Sequence, residues 1–383
     1  MRFLVLLASF VVCVTSMPSM APFYRVSEPI SDSYIIVLHD NEDKMQVSSE
    51  IKLLAQNSRL DLVIDRMYNL VLNGFAVTMP KAAVDIVRRH ASVKYIEQDS
   101  MVYALEETWG LDRIDQYDLP LDGQFNPEGD GAGAHVYVID TGIRWTHEEF
   151  EGRAEFAYDA TNNDRGTGTD CNGHGTHCAG TIAGKKYGVA KKANVYGVRV
   201  LGCLGSGSNS GVIDGMDWVA QNAKKPAVAS MSLGGGATST TDNAVIRLTE
   251  NGITVVVAAG NSNDDACLSS PARAPPAITV GASNINDMRA SFSNYGGCVD
   301  IFAPGRDITS SWNEDDASYI TISGTSMACP HVAGVAALHV GRDESLTPAD
   351  VTSLIVNEAS RGRITDVVGS PNLLLYTKYV IRK

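Results

Sequence analysis

The feature that most constrains the fold is a series of short, mostly apolar stretches rich in β-branched residues. They are Val136–Ile139, Asn194–Val200, Ala227–Met231, Ile253–Ala258 and the shorter Ala277–Val280, and segments with helical patterns lie between them. Apolar strands that alternate with helices form parallel sheets covered by helices on both faces. The sequence therefore predicts an α/β fold with a mainly parallel β-sheet flanked by helices. In such a fold, functional residues gather at the carboxyl ends of the strands.

The N-terminal part of the chain has a different pattern and predicts a separate small domain over residues 33–105. Its pattern predicts strands and helices in β-α-β-α-β order, at Tyr34–Leu38, Asp43–Met67, Phe75–Met79, Pro80–His90 and Val93–Glu97. The composition shifts near residues 102–107, and a larger unit follows over residues 106–383. The small domain cannot hold a large cleft, so an ordinary regulatory or binding role fits it.

The first residues have the pattern of a secretory signal peptide. Arg2 precedes the apolar run Phe3–Val14, which is too short to span a membrane, and small residues follow between Ser16 and Ala21. We expect a signal peptide over residues 1–16, or extending to residue 21 at most, and hence a secreted, extracellular or lumenal protein. A buried N-terminal strand is the other interpretation. Since the formal net charge is −13, we expect a soluble monomer with no nucleic-acid or membrane partner.

Cysteine usage fits an oxidising destination. Six cysteines remain once a signal peptide is removed: Cys171, Cys178, Cys203, Cys267, Cys298 and Cys329. Their number allows many disulfide pairings, and spacing alone does not choose among them. No cysteine or histidine cluster has a spacing typical of zinc sites.

A stretch of small residues, Gly324–Gly334, places Ser326 between a strand pattern and an apolar helix pattern at Val332–Val340. We expect Gly324 to allow a tight turn, and Pro330 to lie in the first helical turn. A hydroxyl at a helix N-terminus lies near free N–H groups, which suits a nucleophile that forms an oxyanion. An ordinary helix cap fits Ser326 about equally well.

Three further polar residues follow apolar strands or open a helix rich in small residues. They are Asp140, His174 and Asn261. Taken singly, each fits a cap, a packing or a turn role. Together with Ser326 they supply a carboxylate, an imidazole, an amide and a hydroxyl, which is the set that amide hydrolysis uses.

Five ordered blocks around these residues resemble the subtilisin-like serine proteases, and most closely the proteinase K branch. The blocks are Val138–Gly142, Asn172–His177, Ser232–Gly235, Ala258–Ser262 and Gly324–Ala328. The resemblance runs from about residue 108 to the C-terminus and implies a subtilisin-like serine endopeptidase. It implies that Ser326 is the nucleophile, His174 the general base and Asp140 the orienting carboxylate. Asn261 and the Ser326 N–H would form the oxyanion hole.

The resemblance also implies where a polypeptide substrate binds. Gly205, Ser206 and Gly207, with Ser208, would form one edge for the peptide, and Ser232, Leu233 and Gly234 the other. The pocket for the P1 side chain would lie between Ser232–Gly234 and Ala258, Ala259 and Gly260. No charged residue falls in these segments, so we expect broad specificity with an apolar or aromatic P1 residue. The nearby Asp264 and Asp265 would favour basic residues at adjacent subsites, although a solvated loop fits them better.

For the N-terminal domain, Phe75–Val77 and Val93–Asp99 carry a weaker likeness to the family's inhibitory propeptide. The implied domain is a small α+β, ferredoxin-like inhibitor that assists folding, blocks the cleft and is removed by self-cleavage within residues 103–107. The same resemblance implies the disulfides Cys171–Cys203 and Cys267–Cys298. Cys178 and Cys329 are then two buried thiols or, alternatively, a third bond. A structural Ca²⁺ would bind the carbonyl oxygens of Pro275 and Ala277 and the carboxylate of Asp300.

Two functions from other classes compete with a protease. A catalytically inactive binding or inhibitor protein on the same scaffold need not keep all of Asp140, His174, Asn261 and Ser326. A lipase or esterase would have a G-x-S-x-G elbow and the order Ser, Asp, His, and Ser326 has neither.

Overall fold

A computed structural model of the protein describes residues 20–26, 29–68, 72–100, 108–161 and 169–377. The predicted signal peptide, residues 1–16, and the predicted cleavage segment, residues 103–107, lie outside the described residues. The chain divides into two compact units, residues 1–104 and residues 105–383. No helix within the described ranges is long and apolar enough to cross a membrane.

The N-terminal unit is an α+β domain with an antiparallel sheet against two helices. Its elements are β1 (Phe23–Tyr24), β2 (Pro29–Leu38), α1 (Lys44–Asn57), β3 (Val63–Tyr68), β4 (Gly74–Thr78), α2 (Lys81–Val87) and β5 (Val93–Ser100). The strands are ordered β1-β5-β2-β4-β3, and only the short β1 runs parallel to its neighbour β5. From β2 to β5 this is the β-α-β-β-α-β arrangement of ferredoxin-like domains.

The predicted element order of this unit was wrong in one place. The helix expected over Asp43–Met67 ends at Asn57, and β3 follows it as an additional strand. Arg59, just past the helix, has a left-handed backbone (φ 57°), which ends the helix. Beyond it, a mixture of exposed and half-buried side chains fits a strand as well as a helix, and pairing with β4 decides in favour of the strand. The second helix also ends earlier, at Val87 and not at His90.

The C-terminal unit is built on a nine-stranded sheet. Its strands are β6 (His135–Asp140), β7 (Ala154–Asp159), β8 (Asn194–Arg199), β9 (Ala227–Met231), β11 (Ile253–Ala258), β13 (Ile278–Ser283), β14 (Ile301–Pro304), β17 (Ser360–Arg361) and β18 (Leu373–Leu374). They are ordered β17-β18-β14-β13-β11-β9-β6-β8-β7 across the sheet, and every pairing is parallel except that of β17 with β18. The predicted α/β class with a mainly parallel sheet is therefore confirmed.

Helices cover both faces of this sheet. They are α3 (Trp109–Ile114), α4 (His174–Ala183), α5 (Asn209–Asn222), α6 (Ser239–Glu250), α7 (Thr325–Arg342) and α8 (Pro348–Glu358). Four short strands form two small ribbons outside the sheet, β10 (Gly235–Gly236) with β12 (Ser269–Ser270) and β15 (Ile308–Ser311) with β16 (Tyr319–Ile322).

Side chains alternate between two cores along the central strand β6. Val136 and Val138 lie in the core that α4 and α7 share, whereas Tyr137 and Ile139 lie in the core of α5 and α6. A strand buried on both faces has no polar side to expose, which explains its continuous apolar run. Because α4 and α7 cover the same face, residues at their N-termini come together at one edge of the sheet.

Candidate active site

Four of the predicted residues lie where strands end or helices begin. Asp140 is the last residue of β6, and Asn261 follows β11 by three residues. His174 is the first residue of α4, and Ser326 is the second residue of α7. His174 and Ser326 line a cleft of about 420 Å³. Asn261 and Ser326 line an adjoining cavity of about 360 Å³.

Asp140 and His174 form a hydrogen-bonded pair. The Nδ1 of His174 lies 2.7 Å from Oδ1 of Asp140, which also accepts the Thr141 N–H at 2.7 Å. Asp140 is fully buried, whereas a quarter of the His174 side chain is exposed. Burial lowers the pKa of His174, but the charge of Asp140, the hydrogen bond to it and the charge of Asp170 raise the pKa above its ordinary value. The bond to Asp140 leaves Nε2 as the atom that accepts a proton.

A second buried carboxylate, Asp170, holds the start of α4. Its Oδ1 accepts the Thr141 hydroxyl and the N–H groups of Asn172 and Gly173, and its Oδ2 accepts the N–H and hydroxyl of Thr176. It thereby joins the residue after Asp140 to the first turn of the helix that carries His174. Asp170 was not among the site residues predicted from the sequence. An acidic residue shortly before a helix start is the signal that marks it.

Ser326 lies at the wall of the cleft, where its hydroxyl is hydrogen-bonded to the backbone of a neighbouring segment. Its Oγ donates to the Ser232 carbonyl oxygen at 3.1 Å. No hydrogen bond of the described residues joins Ser326 to His174, so the structure brings the two into one cleft without that contact. Bonds between nucleophile and base are often long before substrate binds.

The side chain of Asn261 has one defined orientation. Its Oδ1 accepts the backbone N–H of Thr325 at 2.8 Å and the Thr325 hydroxyl at 2.9 Å. Since a backbone N–H can only donate, the atom that faces it is the amide oxygen. The amide Nδ2 is therefore left for a ligand, beside the N-terminus of α7.

Two expectations about the stretch around Ser326 were wrong. The helix begins at Thr325 and not near Val332, so Pro330 is its sixth residue and lies beyond the first turn. Gly324 has φ 166°, an extended conformation open to any residue, so no tight turn requires glycine there. A Cβ on Gly324 would contact the Ser326 N and the Asn261 Nδ2 at 3.5–3.6 Å. Glycine here keeps the space in front of these two donors open.

The segments expected to bind substrate line the two cavities. Gly205–Gly207, Leu233 and Gly234 line the cleft with His174, and Ala258–Gly260 line the adjoining cavity. Ser232, Leu233 and Gly234 line both cavities. No Asp, Glu, Lys or Arg is among the described residues that line either cavity. Asp264 and Asp265 lie outside both and bind backbone N–H groups of their own loop.

Both disulfides that the resemblance implied are present, Cys171–Cys203 and Cys267–Cys298. The first lies beside the cleft, where Asn172 donates to the Cys203 carbonyl oxygen and accepts the His174 N–H. Cys178 and Cys329 are free, buried thiols, so the alternative of a third bond was wrong.

Two sites in the C-terminal unit carry side chains of the types that bind metal ions. Among the described residues, one group of three metal-binding side chains lies close enough together, Asp140, His174 and Cys178, and the first two are already paired. Asp300 is partly buried, and burial raises its pKa, while the Thr279 N–H on its Oδ2 lowers it. No basic side chain of the described residues offsets that burial. A carboxylate in this setting fits a hard cation such as Ca²⁺.

Comparisons with known proteins agree over nearly the whole chain. Residues 131–374 match the family model described as "Subtilase family", and residues 33–105 match that of "Peptidase inhibitor I9". The chain is 49% identical over 373 residues to an extracellular serine proteinase of Thermus sp. (strain Rt41A), covering 92% of this chain and 91% of the relative. It is 44% identical over 376 residues to a cuticle-degrading serine protease of Arthrobotrys oligospora, covering 91% of each. The crystal structure of a cold-adapted subtilisin-like serine proteinase superposes with a TM-score of 0.70 at 55% identity, covering 72% of this chain and all of that one.

Proposed function

Since the chain belongs to the subtilase family of serine proteases, we propose that Asp140, His174 and Ser326 hydrolyse peptide bonds through an acyl-enzyme. The observation that carries the proposal is the hydrogen bond of 2.7 Å between Asp140 and His174 in the cleft that Ser326 also lines. A buried carboxylate on Nδ1 holds the tautomer in which Nε2 is free to accept a proton. The negative charge of Asp140 also stabilises the imidazolium cation that forms when Nε2 takes up the proton.

In the acylation step, the Ser326 Oγ attacks the carbonyl carbon of the substrate while its proton passes to Nε2 of His174. The negative charge that develops on the carbonyl oxygen is stabilised by the Asn261 Nδ2 and the Ser326 N–H. The C–N bond then breaks, and His174 returns the proton to the leaving amine. Water attacks the acyl-enzyme in the same way, which releases the acid and restores Ser326.

Hydrolysis of a chromogenic peptide by Ser326→Ala and by a matched variant tests the roles of these residues. Ser323→Ala is the control, because Ser323 is a serine three residues away whose hydroxyl binds Asp307 outside the cleft. We expect Ser326→Ala to lose several orders of magnitude in kcat and Ser323→Ala to keep it within about twofold. Equal activities for the two variants would remove Ser326 from the mechanism.

For specificity, we propose a preference for apolar or aromatic P1 residues. The support is the uncharged lining of the cavity between Ser232–Gly236 and Ala258–Ser262. A charged P1 side chain would lose hydration there without gaining a partner. Peptides that differ only at P1 (Phe, Leu, Lys or Glu) measure this through kcat/KM, and a higher value for Lys or Glu than for Phe would contradict it.

For maturation, we propose a secreted zymogen whose N-terminal unit, the I9 inhibitor domain, is an intramolecular inhibitor. The extracellular relative supports secretion, and the match to the inhibitor family supports the zymogen. Self-cleavage within residues 103–107 then gives the mature enzyme. The precursor of Ser326→Ala should stay uncut, whereas that of Ser323→Ala should mature. Cleavage of purified Ser326→Ala alone would reject self-cleavage.

Calcium is common as a structural ion in subtilases, and we propose that Asp300 holds one with the carbonyl oxygens of Pro275 and Ala277. The ion would neutralise the Asp300 carboxylate that burial destabilises. Its role is stability, since none of these residues lines either cavity. The protein is first treated with a chelator and an active-site inhibitor. Addition of Ca²⁺ should then raise its Tm, and the rise should be smaller for Asp300→Asn. An equal rise in both proteins would place the ion elsewhere.

A further inference from the structure

The carbonyl oxygen of Ser326 lacks the donor that a helix normally supplies. In an α-helix this oxygen accepts the N–H four residues later. Here that residue is Pro330, which has no N–H, and it lies inside α7. Ser326 is half-buried, and its carbonyl is less favourable without a hydrogen-bond partner, so donors from outside the helix stabilise it.

Two side chains from different elements donate to this oxygen. The Ser232 hydroxyl, just after β9, lies 2.9 Å from it, and the Cys178 thiol, on α4, lies 3.4 Å from it. Ser232 and Ser326 also form a reciprocal pair, because the Ser326 hydroxyl donates to the Ser232 carbonyl oxygen at 3.1 Å. The backbone of Ser326 is thereby tied to the strand segment that lines the substrate cavities.

The second hydrogen bond, from Cys178, comes from α4, the helix that carries the proposed general base His174. Cys178 lies one turn after His174 on α4, so its thiol connects that helix directly to the backbone of Ser326. Burial raises the pKa of Cys178 well above its ordinary value, and the charge of Asp140 raises it further. The group is therefore a thiol at neutral pH and keeps the hydrogen that it donates.

We propose that the Ser232 hydroxyl and the Cys178 thiol are positioning groups that hold the nucleophile through the carbonyl oxygen that Pro330 leaves free. They fix the first turn of α7 against the elements that carry the substrate edge and His174. Small displacements of a nucleophile are costly in rate, because reaction requires close and aligned atoms. This inference rests on the proposed role of Ser326 and adds how that residue is held.

The chain supplies a matched control in its other buried thiol. Cys329 is as fully buried as Cys178 and lies on α7 itself. Its sulfur lies 3.5 Å from the Val256 carbonyl oxygen and 3.7 Å from the Ser230 hydroxyl. The Cys329 thiol also interacts with the Ser232 side chain, but the two donors to the Ser326 carbonyl oxygen are Ser232 and Cys178. Cys329→Ala therefore removes an equivalent buried thiol without removing a donor to that oxygen.

The experiment measures kcat, KM and the rate of Ser326 labelling by a fluorophosphonate in the mature parent and its variants. We expect Cys178→Ala to lower kcat and the labelling rate by about threefold to tenfold, with KM within about twofold. Ser232→Ala should lower both by at least as much, since its hydroxyl is the closer donor. Cys329→Ala should keep both rates within about twofold, while its Tm falls about as much as that of Cys178→Ala.

A conservative variant distinguishes the loss of the hydrogen bond from Cys178 from the loss of its packing. Cys178→Ser keeps a donor of shorter reach, so its kcat should lie between those of Cys178→Ala and the parent, and it serves in place of Cys178→Ala if that variant fails to fold. Equal kcat for Cys178→Ala and Cys329→Ala, or for Cys178→Ser and Cys178→Ala, would overturn the proposed positioning. A parent that is folded yet unlabelled at Ser326 would instead overturn the proposed function.

Discussion

The substitution Asp170→Asn tests how His174, the proposed general base, is held in place and how its pKa is set. Asp170 is 3% exposed and accepts five hydrogen bonds. The amide oxygen of Asn can keep the three bonds now made to Oδ1. Its NH₂ group then faces Thr176, whose hydroxyl can accept, but whose N–H loses its acceptor. The Thr176 N–H is therefore left unpaired, the hydrogen of the Thr176 hydroxyl also loses its present acceptor, and a negative charge is lost at the N-terminus of α4.

The lost hydrogen-bond acceptor and the lost charge determine how far the free energy of unfolding should fall. An unpaired buried N–H costs about 1–3 kcal/mol, and the lost charge at the helix N-terminus adds up to about 1 kcal/mol. We expect the free energy of unfolding to fall by about 1–4 kcal/mol. Because the same bonds hold the turn that carries His174, kcat/KM should fall by roughly tenfold.

The pH profile gives a second, independent readout. Burial lowers the pKa of His174, and the charges of Asp140 and Asp170 raise it. Since the base must be neutral to accept a proton, kcat/KM falls as the pH drops through this pKa. Asp170→Asn removes one of the two charges, so the acid limb should move to lower pH.

The assay is kcat/KM against pH, together with unfolding of the inhibited protein by denaturant. Asp264→Asn is the control, because it removes the same charge from an exposed loop outside both cavities. Its profile and stability should match those of the parent. An acid limb of Asp170→Asn that stays in place or moves to higher pH would show that the Asp170 charge does not raise the pKa of His174. A stability loss below about 1 kcal/mol would show that its hydrogen bonds do not hold the start of α4.

Three further predictions concern the oxyanion, the second disulfide and acid stability. Asn261→Ala should lower kcat by about 10²–10³ with little change in KM, which is the magnitude known for subtilisin, a member of the same family. An unchanged kcat contradicts the role. Replacing Cys267 and Cys298 by Ser opens a loop with a sequence separation of 31 and should lower the unfolding free energy by about 3–4 kcal/mol, measured by denaturant titration. A loss under about 1 kcal/mol contradicts the loop-entropy argument. Burial lowers the pKa of His331 to about 4, so its stabilisation is complete above about pH 6.5 and is lost as the pH falls. In His331→Gln the drop in unfolding free energy from pH 7 to pH 5 should be smaller by about 2 kcal/mol, and an unchanged drop contradicts burial of a neutral imidazole.

The sheet and the placement of the site residues could be predicted from the sequence, because the underlying signals are local. An apolar run such as Val136–Ile139 predicts a buried strand, and a polar residue after it lies at the edge where such sites form. The two disulfide pairings could be predicted only from the family resemblance, because the spacing of the cysteines alone allows many pairings. The strand at Val63–Tyr68 was missed because its pattern also fits a helix, and only pairing with β4 decides.

The contacts that hold the site could not be predicted, because they join distant parts of the chain. Asp170 binds a hydroxyl 29 residues earlier, and Cys178 donates to a carbonyl 148 residues later. Such pairs depend on how α4 and α7 pack, which no local pattern records. The direction of the Ser326 hydroxyl, toward Ser232, likewise follows from packing.

Whether Ser326 is the nucleophile of a mature serine protease is decided by labelling the secreted, mature protein with a fluorophosphonate, followed by intact mass measurement and peptide mapping. We predict one label per chain, on Ser326, and none on Ser326→Ala or on protein inactivated at His174 by His174→Ala. The first N-terminal residue of the labelled chain should fall at or just after residues 103–107. A folded, mature-length chain that takes no label, or that takes it on another serine, would contradict the account.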